Sequence, residues 1–114
     1  IAVIGLKYRT GRPLNVSLAD AKRAVRFVKA HAKIWGLNPE RIGIAGQSAG
    51  AHLALNLTSN LDSGQLDNID PVERESCKPA FVAVFSSWNF LSMNLGRILH
   101  RFLSDMQKTI IVFD

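Results

Sequence analysis

"RIGIAGQSAG", Arg41 to Gly50, runs from an apolar, strand-like stretch straight into Gly-Gln-Ser-Ala-Gly. Ile42 to Ala45 predicts a short strand. Ala49 to about Asn60 predicts a helix with Ala49, Leu53 and Leu57 along one side. Ser48 therefore falls on a strand-to-helix turn. A sharp turn of this kind holds a serine in strained backbone geometry with its oxygen pointing into an active site. Side chains two residues to either side would collide with the neighbouring strand and helix, and Gly46 and Gly50 remove those Cβ atoms. Alone, G-x-S-x-G is weak, because chance produces it in roughly 4% of chains this long. Its position after a strand and before a helix makes Ser48 the candidate nucleophile. The backbone N–H of Ala49 is the candidate oxyanion donor, aided by the positive end of the helix.

Working outward, Ile1 to Tyr8 predicts a strand buried on both faces, followed by the loop "RTGRPLN". Ser17 is the expected helix N-cap, with Asp20 three residues on as a capping-box partner. Leu18, Ala21, Val25, Val28, Ala32 and Trp35 recur at spacings of three and four, with Phe27 and Ile34 widening the stripe. That is an amphipathic helix, stopped by Gly36. "SNLDSGQLDNIDPVERESCKP" reads as a polar surface excursion. Phe81 to Phe85 predicts a third strand, "SSWNFLSMN" a loop at its end, Leu95 to Met106 a helix and Thr109 to Phe113 a fourth strand. The alternation predicts an α/β fold, a parallel sheet with helices on both faces in three layers. Sites in such sheets gather at the carboxyl ends of strands, where Ser48 falls.

The 114 residues are 47% apolar and 20% charged, a core-forming composition for one domain or part of one. The chain opens inside an apolar run, so residues 1–114 read as a single incomplete domain. A net charge of +5 raises the question of nucleic acid. Lys22, Arg23, Arg26 and Lys29 are expected on the solvated face of the first helix. Arg97, His100, Arg101 and Lys108 have no run of interleaved aromatics suited to base stacking, so no nucleic-acid partner is expected. No apolar run approaches the roughly 18 residues that span a bilayer, and the first ten residues do not read as a signal peptide. Cys77 is expected as a buried small residue rather than a nucleophile. Asp62, Asp67 and Asp70 lack metal-site spacing and are expected to be solvated, so no metal is expected.

The stretch "LADAKRAVRFVKAHAKIWGLNPERIGIAGQSAGAHLA", Leu18 to Ala54, resembles the α/β-hydrolase esterase/lipase group close to acetyl-xylan esterases and BD-FAE-type carboxylesterases. "IDPVERESCKPAFVAVFSSWN", Ile69 to Asn89, resembles that group's next section, and beyond Asn89 the match fades. Ala51 stands where the group usually has glycine. The resemblance implies a partial α/β-hydrolase fold and hydrolysis of small-molecule or carbohydrate esters, acetyl esters among them, through an acyl-enzyme on Ser48 without a cofactor. It also implies an oxyanion loop of H-G-G-G type upstream of Ile1, and an acid and a histidine after later strands.

In the chain order Ser, Asp, His, the candidate acid is Asp114, after "TIIVF", ahead of Asp105. His52 lies one turn after Ser48 on its own helix and out of order, which favours a packing or capping role. His31 is expected to face solvent, and His100 falls on an expected helix rather than a strand-end loop. Trp88 and Asn89 are read as pocket-mouth residues or structural anchors, and Gln47 as a substrate-side residue. Two other readings stand beside the esterase: a serine peptidase of the same fold, and a non-catalytic remnant serving as a binding or structural protein.

Overall fold

Residues 2–85 and 109–113 are described by the computed structural model. Its strands are Ala2–Leu6 (β1), Ile42–Gln47 (β2), Val82–Phe85 (β3) and Thr109–Phe113 (β4). Its α-helices are Leu14–His31 (α1) and Ala49–Thr58 (α2). Short 3-10 turns at Pro39–Arg41 and Pro71–Arg74 each open on an Asx cap, Asn38 accepting from Glu40 N–H and Asp70 from Val72 N–H. All strand pairs are parallel, in the order β1-β4-β2-β3. The strand order places β4 centrally: Thr109 faces both Ala2 and Ile42, and Phe113 faces both Leu6 and Gly46.

Strand alternation sorts the side chains into two faces. Ile42, Ile44, Ile111 and Phe113 point to one, where Ala21, Val25, Val28 and Ala32 of α1 and its following turn meet Leu53, Ala54 and Leu57 of α2. Each buried Val, Leu, Ile or Phe there contributes about 1.5–3 kcal/mol over an exposed one. Ala45 and Ile110 point to the other face, packed with Phe81, Ala83 and Val112. Both described helices thus cover one side of the sheet. The partial α/β architecture is as expected, and the helix expected at Leu95 to Met106 lies outside the described residues.

Three local expectations need correction. β1 is an edge strand among the described residues, and Val3 is 62% exposed rather than buried on both faces. α1 starts at Leu14 behind Pro13, whose ring fixes an extended φ of −53° just outside the helix. Ser17 is consequently inside the helix, where its hydroxyl donates to Arg9 O at 2.7 Å, and Asp20 grips the Arg9 backbone N–H and guanidinium. The third correction concerns charge. Arg23 pairs with Asp70 and Glu73, Arg26 with Asp62 and Glu73, and Lys22 with Asp62. The basic face of α1 is the dock for the excursion, so neither these cations nor Asp62 and Asp70 are simply solvated. Asp67 alone of the three aspartates has no such pairing.

Arg26 is the centre of this dock. Its side chain is only 10% exposed and also donates to Glu75 O at 3.0 Å. Arg26→Ala, which leaves Asp62 with Lys22, Glu73 with Arg23 and the Glu75 carbonyl without its guanidinium donor, is expected to lower stability by about 2–3 kcal/mol. Lys22→Ala, at the rim, should lower it by less than about 1 kcal/mol. Urea midpoints measure both, and equal shifts would contradict the assignment.

Partial burial pushes the Asp62 carboxyl up, but Arg26, Lys22 and the Gly64 N–H outweigh it and hold the group at about 2, below its ordinary 3.8. Because the folded value is depressed, this stabilisation is complete above about pH 4 and drains away as the pH falls toward 2. Asp62→Asn should flatten the acid limb of the stability curve.

Candidate active site

β2 ends at Gln47 and α2 begins at Ala49, so the whole change of direction falls on Ser48. Its φ is 51° and ψ −113°, the only positive φ at a non-glycine residue among the described residues. This is the mirror image of extended backbone, where an L side chain is strained by about 1–3 kcal/mol. Two backbone hydrogen bonds hold the residue there. Its N–H donates to Phe85 O at the end of β3, and its carbonyl accepts from His52 N–H, each at 3.1 Å.

The two glycines are a steric requirement of this turn. A Cβ on Gly46 would lie 2.2 Å from Gly50 O and 2.7 Å from Ala51 N. A Cβ on Gly50 would lie 2.0 Å from Phe113 O, on the neighbouring strand. Backbone from β2, α2 and β4 therefore meets without intervening side chains. Ser48 and Ala49 remain exposed above this contact while Gly50 and Ala51 are buried. The Ser48 hydroxyl does not cap α2. Ala49, the first residue of α2, has an N–H without an intrahelical partner. An exposed hydroxyl and an unpaired donor thus stand at the positive end of a ten-residue helix.

Strain at Ser48 gives a stability signature. Ser48→Gly can take this backbone freely, whereas Ser48→Ala keeps the strain. The glycine variant is expected to be more stable than the alanine one by about 1 kcal/mol, after glycine's own entropic penalty. Thermal unfolding of the pair tests it, and a less stable glycine variant would mean that the turn is relaxed.

The other sequence candidates disperse. Gln47 is half-buried at the end of β2, opposite Phe85. His52 is exposed on the first turn of α2, with no side-chain hydrogen bond to Ser48. His31 does not simply face solvent: it stacks between Phe27 and Trp35, with centroids 4.2 and 5.2 Å away, and its Nδ1 lies 2.8 Å from Phe27 O. Cys77 is fully buried against Asp62. Asp114, Asp105, His100, Trp88 and Asn89 lie outside the described residues. No His, Cys, Asp and Glu cluster suited to a metal ion occurs among the described residues, and no helix there is long and apolar enough to cross a membrane. Sequence reasoning missed the carbonyls of Phe85 and Phe113, backbone groups that leave no residue-type signal. An apolar groove of about 450 Å³ between β1 and α1, lined by Ile4, Leu6 and Phe27, includes no residue of the turn and belongs to the edge of the sheet.

The BD-FAE family model matches residues 1–110, which include this turn. The chain belongs to the BD-FAE family. The chain is also similar to the acetylxylan esterase of Xylanibacter ruminicola, 41% identical over 40 residues, 35% of this chain and 8% of that protein. Among solved structures, the acetyl ester-xyloside bifunctional hydrolase of Caldicellulosiruptor lactoaceticus is 44% identical with a TM-score of 0.67. That match covers 69% of this chain and 29% of the hydrolase, so this BD-FAE chain spans less than a third of either relative's length.

Proposed function

We propose that this chain carries the nucleophile segment of a serine hydrolase of carboxylic esters, with acetyl esters on xylan-type carbohydrate as the substrate class. One observation carries the reading: Ser48 is held at positive φ, exposed, between two glycines that have no room for a Cβ. That is the arrangement a nucleophile elbow requires. The substrate class rests on the names of the two relatives.

In this reading the Ser48 Oγ attacks the ester carbonyl carbon and its proton passes to a histidine base. The N–H of Ala49 and the N-terminal end of α2 meet the charge that develops on the carbonyl oxygen. The alcohol leaves with a proton, and water then releases the acid from the acyl-enzyme. Asp114 is proposed as the acid that orients the base. In support, Phe113, the residue before it, is paired with Gly46 at the end of the sheet that carries Ser48.

A fluorophosphonate probe on the full-length product tests the assignment. Covalent labelling at Ser48, lost in Ser48→Ala, is the expected result. A folded protein that takes up no probe would instead favour the non-catalytic binding reading.

A further inference from the structure

His52 is the one titratable side chain on α2, and the fold gives it no structural task. It is exposed, and among the described residues its imidazole makes no hydrogen bond, ion pair or ring contact. Only its backbone is engaged. The N–H donates to Ser48 O at 3.1 Å, and the carbonyl accepts from Asn56 Nδ2 at 2.8 Å. Neither the packing nor the capping expected of this side chain is present.

A helical side chain leans back toward the N-terminus and covers the turn before its own Cα. For His52 that turn starts at Ser48. Between the two, α2 carries only Ala49, Gly50 and Ala51, so nothing taller than a methyl separates the serine from the imidazole. The start of α2 is thus a low ledge, with the exposed serine at one end and a ring that has free hydrogen-bonding capacity at the other.

We propose that His52 is a specificity-determining residue of this site, binding the alcohol half of a carbohydrate ester at the free hydroxyl beside the acylated carbon. The inference rests on the ester-hydrolase reading of Ser48 and adds to it a residue that touches the substrate. A neutral imidazole carries one donor and one acceptor, so it meets a sugar hydroxyl in either sense. An aryl ester of the same acid has no such hydroxyl and leaves the ring in water.

The test measures kcat/KM of the full-length product on p-nitrophenyl acetate and on a mono-acetylated xylobiose with a free hydroxyl beside the acetate. His52→Ala is expected to lower the sugar-to-aryl ratio by about fivefold to tenfold, mainly through a higher KM for the sugar ester. His52→Gln, which offers a donor and an acceptor at similar reach, should recover most of that ratio. An unchanged ratio in His52→Ala overturns the proposal. So does an equal fall on both substrates, which would mark His52 as a proton carrier or a support of the turn. A glutamine variant no better than alanine overturns it too. Fluorophosphonate labelling of Ser48 is followed in the same proteins. A parent that takes no label ends the esterase reading and this inference with it, whereas a labelled parent whose ratio does not depend on His52 ends this inference alone.

Discussion

Ser48→Ala is expected to reduce kcat on an activated acetate by at least about a thousandfold in the full-length product, with KM close to its original value. The hydroxyl makes no capping bond to α2, so its removal takes away the attacking atom and little else. The remaining rate would come from binding and from the donors at the helix start. Near-normal circular dichroism should accompany the loss, because alanine at φ 51° is strained as serine is. A variant that keeps a tenth or more of its rate would move the nucleophile elsewhere and end the esterase reading of this turn.

Gly50→Ala comes next in size, and it strikes stability and rate together. Its methyl would stand 2.0 Å from the Phe113 carbonyl oxygen, a backbone atom that cannot rotate aside as a side-chain tip can. Either β4 or the first turn of α2 must shift, at about 2–3 kcal/mol by the measure of overpacked sites. Ser48 and the Ala49 N–H ride on that turn. Activity should therefore fall well beyond what the lost stability explains, since a displacement near 1 Å can reduce a rate about a hundredfold. Gly5→Ala supplies the control. Nothing lies within 4 Å of a Cβ there, and its φ is not in the left-handed region, so both readouts should stay near those of the parent. Equal effects at Gly5 and Gly50 would show that the crowding around Phe113 is unimportant.

The turn was readable from sequence because everything that makes it is local. The hydrophobic period changes at Ser48, and the steric needs of the bend fall on residues two positions away. The stripe of α1 was readable for the same reason as far as Ala32: Ala21, Val25, Val28 and Ala32 are buried and Leu18 is half-buried, while Phe27, expected to widen the stripe, is exposed. It failed at Trp35, which lies beyond the end of the helix at His31 and is half-exposed. The charges of α1 were misread because periodicity tells which face is polar, not what sits over it. Their partners arrive from Asp62, Asp70 and Glu73, 36 to 50 residues away in sequence. The strand at 109–113 was foreseen, but its place was not: strand order follows from pairing between distant segments, which no window of sequence contains. The Gly50 contact with Phe113 depends on that order, and so was hidden too.

Placing β4 between β1 and β2 has a consequence for how the molecule comes into being. Among the described residues Ala2 and Ile42 both pair with Thr109, so β1 and β2 lack the strand they share until residues 109–113 are made. High contact order of this kind slows folding and prolongs the exposure of sticky edges. Nascent chains stalled before residue 109 should remain protease-sensitive throughout β1 and β2, and early protection of both would mean that another segment holds the slot in the meantime. On this account the serine's setting is assembled late, when the strand that presses on Gly50 slides home.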